Sequence, residues 1–127
     1  MDVCFFFVKL YIMSKLAKYL ILDLEGDRSQ SSIKFFRSSG AYGYVLWLTV
    51  VDNFFSKHDM SIDELVTKLK KYASRRTILG FIYRGVDANF LEKKILANDK
   101  RKIIIKPTDI TIKEYTEWSE SFIKSVT

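Results

Sequence analysis

A chain of 127 residues with 28% charged and 48% hydrophobic side chains is long enough to bury a core without staples, and its composition excludes disorder. Its one cysteine, Cys4, excludes an internal disulfide or a Cys-rich metal centre and fits a reducing, cytoplasmic compartment. The formal net charge of +6 is concentrated: residues 1–60 hold seven Lys/Arg against six Asp/Glu (+1), residues 61–106 twelve against five (+7), and residues 107–127 two against four (−2). A polyanionic partner explains such concentration better than solubility does.

From Val3 to Leu24 the pattern predicts a helix, with Leu16, Leu20 and Leu24 on one stripe and Tyr19 beside it. Lys9, Lys15 and Lys18 break the apolar run before it reaches the roughly 20 residues of a bilayer span. No basic start or small-residue cleavage site marks a signal peptide, so a buried or dimerising helix is expected, with no membrane attachment. Met13-Ser14-Lys15 reads as an ordinary start, which leaves Met1 and Met13 both open as the first residue. Residues 25–43, with Gly26, the serines from Ser29 to Ser32, Ser38, Ser39 and Gly40, read as a connection holding a short helical piece around Ile33–Arg37. Tyr44–Lys57 is too apolar for a surface strand. A buried helix is expected, with Thr49, Val50 and Val51 keeping a strand open, and with Trp47, Val50, Val51, Phe54 and Phe55 as core.

Ser61-Ile62-Asp63-Glu64 is a capping box: the Ser61 hydroxyl meets the Glu64 amide, and the Glu64 carboxylate reaches back to the Ser61 amide. The helix that follows buries Ile62, Leu65, Val66 and Leu69. After a turn at Tyr72-Ala73, Ser74 caps a second helix whose buried face is Ile78, Ile82 and Val86, with Leu79 alongside. Arg75, Arg76, Thr77, Gly80, Tyr83 and Arg84 fall off that stripe. Two helices joined by so short a turn make a helix-turn-helix. Asn89 stands where a left-handed residue ends a helix. Two strands, Lys93–Leu96 and Lys102–Lys106, then flank a tight turn carrying Asp99, Lys100 and Arg101. Pro107 stops the second strand, Thr108 or Thr111 caps the last helix, and Thr111-Ile112-Lys113-Glu114 repeats the capping-box pattern. Ile112, Tyr115, Phe122 and Val126, with Trp118 at the edge, form an apolar stripe suited to the N-terminal helix or to a partner subunit.

A capped helix followed by a basic hairpin is the layout of a winged helix, which sets one helix in the DNA major groove and the hairpin on the backbone or minor groove. Arg75, Arg76 and Thr77 lie at the helix end that meets bases; an Arg fork suits guanine and a Thr suits a base edge or a thymine methyl. Arg84 suits a phosphate, and Arg101 a narrow minor groove. Lys93, Lys94, Lys100, Lys102 and Lys106 are interchangeable neutralisers of the phosphate backbone, about half of them touching nothing. The bland reading of each single cation is a surface ion pair.

At this point the stretch from Tyr44 to Trp118 resembles the MarR family of bacterial winged-helix regulators. The resemblance rests on the order of elements and on the wing: Asp99-Lys100-Arg101 matches an Asp-x-Arg signature, Lys102–Lys106 a basic strand, and Thr108 the residue that opens the next helix. It implies that Asp99 braces the wing, that Arg101 reaches DNA, and that Ser74–Arg84 is the recognition helix. The chain has one C-terminal helix where members usually have two, and Asn89 where Gly is frequent.

The expected fold is mainly α (α+β): a single domain over residues 1–127, with an N-terminal helix and connection (1–42), a winged-helix core with a two-stranded wing (43–110) and a C-terminal helix (111–127). The expected function is sequence-specific binding of double-stranded DNA by a dimeric repressor, paired through Val8–Leu20 and Tyr115–Val126. The expected DNA-binding residues are Ser74, Arg75, Arg76, Thr77, Arg84, Lys94, Lys100, Arg101 and Lys102, with Asp99 as the wing brace; no cofactor and no metal is expected. Two alternatives stay open: a winged helix of plasmid or phage replication or partition, and a winged helix that binds an acidic protein. Enzymatic readings lack material. His58 reads as a loop residue, Glu117 and Glu120 as an exposed helix face, Asp23, Glu25 and Asp27 lack EF-hand spacing, and no Gly-rich phosphate loop is present.

Overall fold

The computed structural model describes residues 3–25, 30–96 and 98–126; of residues 25, 99 and 100 it describes the backbone. In order the elements are α1 (Val3–Glu25), α2 (Ser31–Arg37), α3 (Ala41–Ser56), α4 (Ile62–Leu69), α5 (Arg75–Asp87), β1 (Leu91–Leu96), β2 (Asp99–Pro107) and α6 (Asp109–Val126). They divide into two compact units, one of residues 30–115 and one of residues 1–29 with 116–127. Among the described residues no helix is long and apolar enough to cross a membrane.

The larger unit is built around α3 and α5. Leu46, Trp47, Val50 and Val51 of α3 are buried, at the spacing that puts them on one helical face. Phe54 and Phe55, expected in the core, are 47% and 55% exposed. They meet each other edge to face at 5.2 Å, but α3 ends at Ser56, before anything covers their outer sides. From α5 the buried residues are Ile78, Phe81, Ile82 and Gly85. Phe81, absent from the expected stripe, is the centre of an aromatic cluster: it stacks on Phe35 at 4.7 Å and meets Phe36 and Tyr42 edge-on. Val86, expected to be buried, is half-buried.

The short piece expected around Ile33–Arg37 is the helix α2, and it is tied down from a distance. Its N-cap, Gln30, makes no side-chain cap hydrogen bond. The Glu114 carboxylate of α6 does the capping, accepting from the amides of Ser31 (3.2 Å) and Ser32 (2.8 Å) and from the Ser32 hydroxyl. A carboxylate is favoured there by the free amides and the dipole of the helix end. Glu114 is thus not the partner of Thr111 in a capping box. The hydroxyls of Thr108 and Thr111 also point elsewhere, donating to the carbonyls of Asn89 (2.8 Å) and Phe90 (2.7 Å).

Ser61 and Ser74 cap α4 and α5 as expected, accepting from the amides of Glu64 and Thr77, each at 3.2 Å. The Glu64 carboxylate takes the Ser61 hydroxyl rather than its amide. Asn89 is left-handed (φ 66°) and closes α5: its amide donates to Val86, and that of Phe90 to Gly85. β1 and β2 pair antiparallel from Leu91↔Pro107 to Ile95↔Ile103, then shift so that Leu96 faces Asp99. Asp99 to Arg101 therefore begin the second strand rather than forming the turn. Ser61 adds a bridge to Ile104, seating the hairpin base against the start of α4.

In the smaller unit, the last helix takes the first of the two covers open to it from the sequence and lies on the N-terminal helix. Trp118 Nε1 donates to both carboxylate oxygens of Asp23 at 3.2 Å, and Tyr19 meets Phe122 edge-on at 5.4 Å. Leu16, Tyr19 and Asp23 are the half-buried side of α1, whereas Leu20 and Leu24 of the expected stripe are exposed.

Candidate nucleic-acid interface

With Ile78, Phe81, Ile82 and Gly85 turned inward, the 3.6-residue period makes Arg76, Gly80, Tyr83 and Asp87 the outermost line of α5. Thr77 and Arg84 flank that line on one side, Arg75 and Leu79 on the other. The Arg75 side converges with the wing. Arg75, Leu79 and Tyr83 line one cleft with Arg101, Lys102 and Ile103 of β2 and with Ser61–Glu64 at the start of α4. The helix and the hairpin therefore present cations to the same opening.

Within the cleft, the Arg75 guanidinium is 2.9 Å from the Asp63 carboxylate, in a pair whose side chains are 61% and 80% exposed. An ion pair so wet is worth about 0–1 kcal/mol, so a phosphate or a guanine edge competes with it easily. The Arg84 guanidinium lies over the Phe81 ring at 5.7 Å, which orients it as it leaves the helix. Lys93 Nζ lies over the Tyr83 ring at 5.5 Å and bridges the wing to α5. Lys106 pairs with Asp59 at 3.4 Å.

Of the residues singled out from the sequence, Arg75, Arg101 and Lys102 come together in the cleft, and Arg76, Thr77 and Arg84 lie exposed on the adjoining face of α5. Ser74 is exposed, but its hydroxyl is engaged: it accepts from the Thr77 amide and donates to Thr77 Oγ1 at 2.9 Å. Strand alternation puts Lys94, opposite Ile104, on the hairpin face away from Lys93. The side chains of Asp99 and Lys100 lie outside what is described. Sequence reasoning left Tyr83 and Asp63 out of the set. The spacing of 75, 79 and 83 places Tyr83 beside Arg75 along the helix, whereas nothing local links Asp63 to Arg75 twelve residues on. Among the described residues no group of three or more His, Cys, Asp or Glu is arranged to hold a metal ion.

No family model matches the sequence, and no curated protein matches it. Solved structures do match. The heme sensor protein PefR in complex with heme and carbon monoxide is 18% identical, with a TM-score of 0.55 over 87% of this chain and 73% of that one. The transcriptional regulator SlyA is 17% identical, with a TM-score of 0.54 over 91% of this chain and 73% of that one. PefR from Streptococcus agalactiae in complex with heme is 18% identical, with a TM-score of 0.52 over 99% and 77%. Among the described residues, six helices and a two-stranded antiparallel hairpin, with the fifth helix and the hairpin sharing a cleft, form a winged helix, the fold that the chain shares with the solved structures of SlyA and PefR.

Proposed function

We propose that the chain is a sequence-specific, double-stranded DNA-binding transcriptional regulator that acts in the cytoplasm as a homodimer and represses by occupying promoters. The observation that carries this reading is the cleft in which Arg75 of α5 and Arg101 and Lys102 of β2 face one another. A duplex set against it meets α5 in the major groove and the wing on the adjacent backbone. Arg75, Arg76 and Thr77 read bases. Arg84, Lys94, Lys100 and Lys102 neutralise phosphates, Arg101 enters the minor groove, Asp99 braces the hairpin, and Ser74 holds the first turn of α5 open to the groove.

Residues 30–115 are the DNA-binding part, and the terminal segments supply the dimer contacts. α1 leaves Phe5, Phe7, Tyr11, Leu22 and Leu24 each more than 60% exposed, an apolar surface that a second copy would cover. Two recognition helices related by a two-fold axis read half-sites one helical turn apart.

Selection from random duplexes, followed by anisotropy titration over a range of salt, tests the reading. A palindromic site bound with steep salt dependence is expected. Arg75→Ala and Arg76→Ala lower affinity by about 1–3 kcal/mol with relaxed base preference. A loss uniform across all sequences removes base reading from these two residues. Absence of duplex binding refutes the proposal.

A further inference from the structure

Gly80 stands in the middle of α5, and nothing among the described residues asks for a glycine there. The two other glycines packed in the larger unit have internal reasons. A Cβ on Gly43 would lie 2.3 Å from the Phe36 carbonyl oxygen, and one on Gly85 would lie 2.8 Å from Leu91 Cδ1. At Gly80, among the described residues, no heavy atom other than the adjoining backbone of α5 and the two neighbouring residues lies within 4 Å of where a Cβ would be. Its φ is not positive either. Inside a helix, only proline is a worse choice than glycine, because glycine loses the most backbone freedom and packs nothing. The fold is weaker for having Gly80 and gains no fit from it.

Its neighbours on the helix surface show where the gap opens. One turn back are Arg76 and Thr77; one turn on are Tyr83 and Arg84. All four are exposed. Gly80 is thus the hollow at the centre of the outward face of α5, ringed by two guanidiniums, a phenol and a threonine, and the cleft shared with the wing begins at its edge with Leu79 and Tyr83.

We propose that Gly80 is a specificity-determining position, resting on the DNA-binding reading above: its missing side chain lets α5 lie directly on the floor of the major groove. A base edge fills the hollow, and Arg76 and Arg84 reach to either side of it. Any side chain at position 80 holds the helix away from the floor by at least the thickness of a methyl group. The hydrogen bonds from Arg76 and Thr77 to base edges then lengthen beyond useful range, whereas contacts to flexible phosphate ends, that of Arg84 among them, adjust.

The test uses Gly80→Ala and Gly80→Leu in the full chain, with thermal unfolding and anisotropy on the duplex selected by the wild type and on a random duplex. Gly80→Ala is expected to melt above the wild type, because alanine is the better helix former. It is expected to bind the selected duplex about ten-fold more weakly, with Gly80→Leu weaker again, while both keep wild-type affinity for random duplex. The stability gain rules out misfolding as the cause of the loss. A Gly80→Ala chain that binds the selected duplex as tightly as the wild type overturns the proposal, and so does an equal loss on selected and random duplexes. A wild-type chain that selects no sequence sinks the DNA-binding reading itself and this proposal with it, an outcome the unsubstituted protein reveals before any variant is made.

Discussion

Glu114→Ala should weaken the fold by about 3–5 kcal/mol, a large effect for a residue that has no place on the outward face of α5. The carboxylate accepts from three donors at the start of α2: the Ser31 and Ser32 amides at 3.2 and 2.8 Å and the Ser32 hydroxyl. Ser32 is fully buried, so its two donors are stranded when the acceptor goes, at about 1–3 kcal/mol each. Ser31 is exposed, and water replaces its partner at little cost. Loss of a negative charge at a helix N-terminus adds about 0.3–1 kcal/mol. Glu114→Gln keeps one oxygen for Ser32 and turns an amide nitrogen towards a donor, so about 1–2 kcal/mol is expected. Urea unfolding followed by circular dichroism, at one fixed protomer concentration, measures both. An alanine variant within about 0.5 kcal/mol of wild type would refute the account, as would equal losses for alanine and glutamine.

Gly43→Ala forces a methyl against the Phe36 carbonyl and should destabilise by about 1–3 kcal/mol in the same urea assay, opposite in sign to Gly80→Ala. Asp63→Asn releases Arg75 and removes a negative charge from the cleft. Stability should fall by about 0.3–2 kcal/mol, from the wet ion pair and from the charge lost in the first turn of α4, while duplex affinity rises, as measured by anisotropy. Arg101→Ala should lower duplex affinity and reduce the slope of log K against log salt by about one, and an unchanged slope would place Arg101 off the backbone and grooves.

The elements that the sequence makes legible are those whose signals are local. Ser61 and Ser74 announce α4 and α5 because a cap lies within three residues of the amide it meets, and the hairpin is announced by two basic, β-branched runs around a turn. The true role of α2 is illegible because its cap is supplied by Glu114, 82 positions further along the chain. The same glutamate misleads locally, since Thr111-Ile112-Lys113-Glu114 has the form of a capping box while both of its polar ends serve other elements. Phe54 and Phe55 mislead in another way: hydrophobicity shows what would gain from burial, not whether a neighbour arrives. In the candidate interface, the Arg75 and Arg101 side follows from periodicity and charge. Tyr83 was within reach of the same wheel, and Asp63 was not, because its pairing with Arg75 depends on how two helices cross.

Thr108 and Thr111 lash the root of α6 to the carbonyls of Asn89 and Phe90, where α5 hands over to β1. Three elements thus share one knot, and α5 cannot swivel without carrying the wing along. On the function proposed above, helix and wing would meet a duplex as one piece.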